Sequence, residues 1–467
     1  MREHDQKDLQ PLAALMPRGV GHQFVAYADA CSGVPGAPHE ANLAAVNAIV
    51  RRLTPQPEFI CFPGDEIQGL TADTAALRSQ WRHWLDREMA WHDRRTIPLY
   101  HTTGNHTTYD APSEAIFREL LADLPRNGPP GQEGLSYWVR RGDLLLVVVN
   151  TLWSGGGGEG RVETAWLDEV LTAQADARHK LVMGHHPVFP ANGFAGAYQR
   201  QLAPDDGRVF WDLLVRHGVL AYLCSHMLAF DVQVHAGVLQ ILTAGAGTAH
   251  LMPPETEYFH CIQAALDVAK LRYQVLDVDG VIREWLAWPL APFAVTDWHP
   301  LAPGEAPAPL LPTPAATQES LLLAWRFRGV AARGGPGEAQ TLLAGWNPGP
   351  GLSSLWIGLL GPEGRLGVLL SPAAGRSPHL WHGPTLAAGE RFDLQLAIHT
   401  GMGPGGLLWR HGDGPPWSSL LAASPWGAER LTWPNRWSIG HERGGDGDRP
   451  FRGTDLRAQW LARTERL

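Results

Sequence analysis

Six short apolar runs in the first half of the chain each end in a polar or glycine-rich turn, and this recurrence limits the possible folds more than any other feature. The runs are HQFVAYADA (22–30), EFICFPGDE (58–66), IPLYHTTGNH (97–106), LLLVVVNT (144–151), KLVMGHHP (180–187) and VLAYLCSHM (219–227). They read as strands. Between several of them lie helical patterns. In 39–53 the apolar residues Leu43, Val46, Val50 and Leu53 share one face, and 73–92 is similar. In 112–124 Ser113 is placed to cap a helix running through Ile116 and Leu120, and 162–175 carries Trp166, Leu167, Val170 and Leu171 at helical spacing. Strands alternating with helices predict an α/β sheet with helices on its faces. In such folds the polar loops at the C-terminal ends of strands form the site.

Five of these loops carry residues that ligate metals. They are Asp29 in YADAC, Asp65 in PGDE, Asn105 and His106 in TGNHT, His185 and His186 in MGHHP, and His226 in CSHML. A single histidine after a strand is more often a packed loop residue, and GD or GN is a common turn. Five in order, each directly after an apolar run, point instead to a divalent cation, which takes carboxylate, amide oxygen and imidazole. His101, beside the GNH turn, and His250, in the GAGTAH loop, read first as structural residues.

The order of these motifs resembles D-x-H, GD, GNH, H-x-P and GH-x-H, the signature of the calcineurin-like metallophosphoesterases, over roughly residues 20–290. That family includes purple acid phosphatases and cyclic-nucleotide phosphodiesterases. The resemblance implies a two-sheet β-sandwich flanked by helices. It also implies two metals, about 3.5–4 Å apart, that clamp a phosphate oxygen and a hydroxide nucleophile. By the same resemblance Asp65 is the bridging carboxylate, Asn105, His185 and His226 complete the second metal position, and His106 is the catalytic histidine. His186, next to the ligand of the H-x-P pattern, is expected to pack behind it.

The chain departs from the pattern at the first metal position. Asp29-Ala30-Cys31 stands for D-x-H, and Ser225-His226-Met227-Leu228 for GH-x-H. Gln68 occupies the place of the purple acid phosphatase tyrosine, and Thr107 that of the usual acidic residue after GNH. Asp29 and Cys31 then define at most a weak first-metal site. Cys31 keeps three readings, as a small buried residue, a thiolate ligand or a nucleophile. The expected cofactor is one divalent ion per chain (Fe, Mn or Zn), with a weakly held second.

The remaining features bound the rest of the molecule. Residues 289–318 are rich in Pro and Ala without period and read as a linker or surface strap between a domain at 1–288 and another at 319–467. The latter holds many short strand candidates broken by Gly/Pro turns, and ten of the twenty Trp, which predicts an all-β sandwich. Its ending, Phe451-Arg452-Gly453 followed by Leu456, resembles the close of a concanavalin A-like or laminin-G-like jelly roll. That resemblance makes carbohydrate a candidate ligand, although filling the sandwich core accounts for most of the Trp. The formal net charge is −9 with no Lys/Arg run, so no nucleic-acid partner is expected. No apolar run reaches the ~18 residues of a membrane span. The polar start MREHDQKDLQ carries no secretory signal, which places the expected compartment in the cytoplasm. Four cysteines without a CxxC pair argue against a disulfide scaffold or zinc ribbon.

Together these features predict a metal-dependent phosphatase or phosphodiesterase acting on a small phosphate ester. Two alternatives remain: a catalytically degenerate relative that works as a binding or scaffold protein through the jelly roll, and, below it, a mononuclear iron enzyme with other chemistry.

Overall fold

Strands come first, because continuous apolar runs such as LLLVV, buried at every position, are stable only where both faces of a sheet are covered. The computed structural model describes residues 21–192, 201–248, 257–268, 270–290, 298–302, 304–308, 319–346, 355–371, 379–402, 406–423, 434–442 and 448–466. Contacts divide the chain into two compact units. One runs to Val232 and resumes over Val238–Pro289, and the other comprises Gln233–Gly237 and Leu290–Arg466.

The first unit is built on β1 (His22–Ala26), α1 (Pro38–Arg52), β2 (Phe59–Phe62), α2 (Thr74–His83), β3 (Leu99–His101), α3 (Ala111–Leu120), β4 (Tyr137–Arg141), β5 (Leu144–Val148), α4 (Thr164–Ala173), β6 (His179–Met183), α5 (Pro204–Arg216), β7 (Ala221–Cys224), β8 (Phe230–His235), β9 (Val238–Thr243), β10 (His260–Leu266), β11 (Leu271–Asp277) and β12 (Ile282–Trp288). Two six-stranded sheets result, in the orders β12-β11-β10-β1-β2-β3 and β4-β5-β6-β7-β9-β8. The α/β expectation holds, with the two sheets that the resemblance implied. Strands β1, β2 and β3 run parallel, as do β5, β6, β7 and β9.

The helices follow the sequence logic with shifted ends. In α1, Pro38 lies in the first turn, Glu40 follows it, and Arg51 and Arg52 close the last turn, the charge order that suits a helix dipole. Ser113 does not cap α3. Asp110 does, and Ser113 answers from the third helical position to complete a capping box; the box satisfies two orphan backbone donors where a lone Ser cap would satisfy one. The pattern over 73–92 divides into α2 and a π-helical turn, Trp84–Glu88. It seats Trp84 edge-on to Trp81, 6.0 Å apart, and both indoles are fully buried. Each such burial contributes on the order of 2–3 kcal/mol. On the second sheet, Leu167, Val170 and Leu171 of α4 and Phe210, Leu213 and Leu214 of α5 close one apolar cluster with Leu145, Val147 and Val182.

The second unit is all-β. One antiparallel sheet has the order His299–Leu301, Thr454–Arg466, Glu319–Val330, Arg391–His399, Leu407–His411, Trp417–Ser418. The other runs Gly304–Pro307, Arg436–Ile439, Ala339–Trp346, Leu355–Leu360, Arg365–Leu370, His379–Thr385, Leu420–Ala423. Trp325, Trp381 and Trp437 sit in its core, so core filling claims several of the tryptophans. The segment read as a linker supplies an edge strand to each sheet, through His299–Leu301 and Gly304–Pro307. Among the described residues no helix is long and apolar enough to cross a membrane.

Candidate metal centre

The parallel strands of both sheets end in the loops that hold the predicted ligands. Asp29 follows β1, Asp65 follows β2, Asn105 and His106 follow β3, His185 follows β6 and His226 follows β7. Asp29, Cys31, Asp65 and His226 all adopt positive φ, at 59°, 44°, 58° and 70°. Left-handed backbone costs a non-glycine residue on the order of 1–2 kcal/mol, and such residues gather at functional sites where the surroundings enforce them. The enforcement is visible here. The amides of Asp29, Cys31 and Ser32 donate to the carbonyls of Gly64, Asp65 and Glu66 at 3.2, 2.8 and 3.0 Å, lacing the two loops together. The glycines of GD and GN are required by proximity. A Cβ on Gly64 would lie 2.8 Å from His185 Nδ1, and one on Gly104 would lie 2.2 Å from Asp65 Oδ1.

Three side chains converge on His185 Nε2. Asn105 Oδ1 lies 3.1 Å away, His226 Nδ1 3.0 Å and Asp65 Oδ2 3.3 Å. The ligand atoms of Asp65, His185 and His226 lie within 4.8 Å of one another, and all three residues are buried. Donor atoms about 3.0–3.5 Å apart are what bonds of ~2.0–2.2 Å to a shared small cation produce. Two carbonyl or carboxylate oxygens and two imidazole nitrogens are also a donor set for a divalent ion, so these residues fit one. His185 is oriented from behind, its Nδ1 meeting Pro63 O at 2.9 Å and Ser225 Oγ at 2.9 Å. Ser225 Oγ in turn donates to Pro63 O at 2.6 Å. A ring nitrogen tied to a carbonyl leaves the other to act as a ligand.

Charge follows the same geometry. Burial disfavours the His185 imidazolium, but the charge and hydrogen bond of Asp65, joined by the charge of Asp29 and the hydrogen bond to Pro63 O, together outweigh it and raise the pKa to about 9. Burial likewise works against the Asp65 carboxylate, and His185 holds it below the usual range. Burial, then the charge of Asp65, pushes Asp29 up to about 6.

Asp29 and Cys31 are the residues that the departures from the pattern leave for a first metal. Asp29 Oδ2 accepts from the His226 amide at 3.1 Å. Cys31, buried, groups with Asp65 and His106, one ligand atom from each lying within 4.8 Å of the others; burial and the two nearby aspartates push its thiol well above its ordinary value. Leu228, where the pattern has histidine, packs in the apolar cluster with Met227 and Ala229. Gln68 meets His106 through its backbone carbonyl, which accepts from Nδ1 at 2.7 Å. Thr107 stitches the GNH turn, its Oγ1 accepting from Gly104 N at 2.9 Å. His186 is buried with its ring 4.4 Å from that of His226, and its Nδ1 meets Thr151 Oγ1 at 2.8 Å. His101 is fully buried; His250 lies outside the described residues.

Two participants escaped sequence reasoning. Ser225 carries no signal beyond preceding His226. Glu66 follows Asp65 directly, yet its partner is His101, whose Nδ1 lies 2.7 Å from Glu66 Oε1. Burial raises the Glu66 carboxyl well above its usual range and drops the His101 imidazole well below its own. Among the described residues Glu66 Oε2 and His101 Nε2 have no hydrogen-bond partner. A neutral pair sharing one proton meets these conditions, because separated charges would lack compensation.

Residues 22–230 match the family model described as calcineurin-like phosphoesterase, a metal-dependent family. Among solved structures, a purple acid phosphatase from yellow lupin (Lupinus luteus) seeds is similar at TM-score 0.42 and 12% identity, over 57% of this chain and 53% of that one. The match thus spans about half of the lupin enzyme. A dimetal phosphatase from Danio rerio is similar at TM-score 0.39 and 16% identity, over 57% of this chain and 98% of that one. The Ruminococcus gnavus IT-sialidase CBM40, solved with α2,6-sialyllactose, is similar at TM-score 0.23 and 17% identity, over 31% of this chain and 76% of that one. No curated protein matches the sequence.

Proposed function

We propose that this chain is a metal-dependent hydrolase of phosphate esters that works with one firmly held divalent cation. The observation that carries the proposal is the convergence of Asp65, Asn105 and His226 on His185 Nε2 at 3.0–3.3 Å. A cation held there supplies Lewis-acid polarisation of a phosphoryl oxygen and a bound water of lowered pKa. The protein's own part is positioning. Asp65 balances the local positive charge, and His185 is held in register by Pro63 and Ser225. His106 stands at the half-exposed edge of the site, Nδ1 tied to Gln68 O at 2.7 Å, and serves to protonate the leaving oxygen. The test is turnover of a generic aryl phosphate alongside metal content. Wild type is expected to turn over with about one ion per chain, and His226→Ala to lose at least roughly a hundredfold. Unchanged turnover in that variant would contradict the assignment.

A second reading draws on Leu228, whose place in the apolar cluster removes one expected ligand. In it the site is catalytically silent and the protein binds or scaffolds through its second unit, a concanavalin A-like sandwich. Among the described residues, Trp409 and Trp417, stacked 6.1 Å apart at 14°, form an aromatic pair that a sugar face could meet. No turnover with Mn, Zn or Fe supplied, together with glycan binding lost in Trp409→Ala, favours this reading. Oxygen consumption dependent on Fe(II) is the mark of the iron-enzyme alternative.

A further inference from the structure

We propose that Gln80, on α2, is a positioning residue for His106 and acts on it through the peptide group that joins Gln68 to Gly69. The inference rests on the reading above that His106 protonates the leaving oxygen. The carbonyl of that peptide accepts from His106 Nδ1 at 2.7 Å. The N–H of the same peptide donates to Gln80 Oε1 at 2.8 Å. A line of hydrogen bonds thus runs from the imidazole, across one rigid plane, to the amide of a helical side chain.

Each end of the line has one chemical sense. A backbone carbonyl only accepts, so Nδ1 carries the hydrogen, and Nε2 is left to handle the proton that is transferred. A backbone N–H only donates, so the oxygen of the Gln80 amide is the atom that faces Gly69. Hydrogen bonds in series polarise one another, so Gln80 makes the Gln68 carbonyl a stronger acceptor for Nδ1. Gln80 also stops the plane from turning. The chain is tied on both sides of it, Gln68 N donating to Ser32 O at 2.7 Å and Leu70 N to His106 O at 3.2 Å. Between these ties Gly69 sits at φ 53°, and glycine exchanges positive for negative φ at little cost. A bond to the N–H of the plane is what keeps its carbonyl on the ring. Gln80 is itself fixed, because Leu77 and Trp81 of α2 are buried and Asp73 caps the helix by accepting from Ala75 N and Ala76 N.

The role follows from the proton's path. As the bond from phosphorus to the leaving oxygen breaks, that oxygen takes the proton from Nε2. The ring left behind is neutral, with its hydrogen still on Nδ1. Gln80 never touches the proton and sets only the direction in which it is offered.

The test compares Gln80→Leu and Gln80→Glu with wild type on two esters. Phenyl phosphate has a leaving oxygen that needs a proton, and dinitrophenyl phosphate has one that departs without it. Leucine removes the acceptor, whereas glutamate keeps an oxygen for the Gly69 N–H. In Gln80→Leu we expect kcat on phenyl phosphate to fall on the order of 10–100-fold, part of the roughly 10²–10⁴ that general acid catalysis supplies. KM and metal content should hold, the mark of an interaction made only in the transition state, and kcat on dinitrophenyl phosphate should be nearly unchanged. Gln80→Glu should recover most of the loss. Proton–nitrogen correlation spectra of the neutral histidine rings need no turnover. With the His106 signals assigned through His106→Asn, wild type and Gln80→Glu should show the hydrogen on Nδ1, and Gln80→Leu should move population to Nε2. No loss on phenyl phosphate, equal losses on both esters, a Gln80→Glu no better than Gln80→Leu, or a wild-type His106 with its hydrogen on Nε2 would each overturn the proposal and leave the hydrolase reading standing. A His106→Asn variant that matches wild type on phenyl phosphate, or a wild type that turns over neither ester, would overturn the reading of His106 and this role with it.

Discussion

Asp65, 3.3 Å from His185 Nε2, keeps that imidazole protonated up to about pH 9, so a cation at the same nitrogen has to displace a proton. The sign follows directly. Binding requires neutral His185, and below about pH 9 the proton competes for the lone pair. Affinity should therefore rise roughly tenfold per pH unit between pH 7 and 9. Calorimetric titration at pH 7 in buffers of different ionisation enthalpy should find about one proton released per ion. An affinity independent of pH across that range would contradict the assignment of Nε2. The neutral Glu66–His101 pair makes a separate prediction about stability. Glu66→Gln, which keeps a hydrogen-bonding group of the same shape, should change unfolding free energy by less than about 1 kcal/mol. Glu66→Ala should cost roughly 2–4 kcal/mol, by leaving His101 Nδ1 unsatisfied beside a cavity. Equal, large losses in both variants under urea would instead mean that the pair is ionised. Sequence reasoning reached the four converging side chains but not Glu66 or Ser225. Their partners, His101 and His185, lie 35 and 40 residues away, a separation that no local pattern records.

At the scale of elements, the site depends on how closely β2 and β3 deliver their turns. The Gly104 backbone passes so near Asp65 that an added Cβ would fall 2.2 Å from its Oδ1. Gly104→Ala should accordingly destabilise the protein by about 1–3 kcal/mol and weaken metal binding more than tenfold, read from urea denaturation and metal titration. An alanine accepted without loss of affinity would show that the two turns are not held against each other. Strand positions were legible because five ligand-bearing loops each close an apolar run. Helix ends were less so. Asp110 and Ser113 cap α3 jointly, and a pattern of apolar spacing does not distinguish the residue that begins a helix from the one that answers it three places on. The π-helical turn Trp84–Glu88 left no mark either, since its apolar residues keep nearly helical spacing.

For the whole molecule, the alternation of strand and helix did not distinguish one sheet from two, and only the resemblance to the calcineurin-like family implied two. The division depends on pairings between distant segments, such as β1 with β10, which no local pattern records. In the second unit, short strands and Gly/Pro turns announced an all-β unit. The same Pro-rich composition concealed the edge strands His299–Leu301 and Gly304–Pro307, because an edge strand tolerates the prolines that a central strand excludes. The claim on which the functional account stands is that Asp65, Asn105, His185 and His226 grip one cation. Anomalous diffraction from crystals grown with Mn²⁺ or Zn²⁺ tests it most directly. The account predicts a strong peak within bonding distance of all four side chains, whereas an anomalous map empty at that point would contradict it.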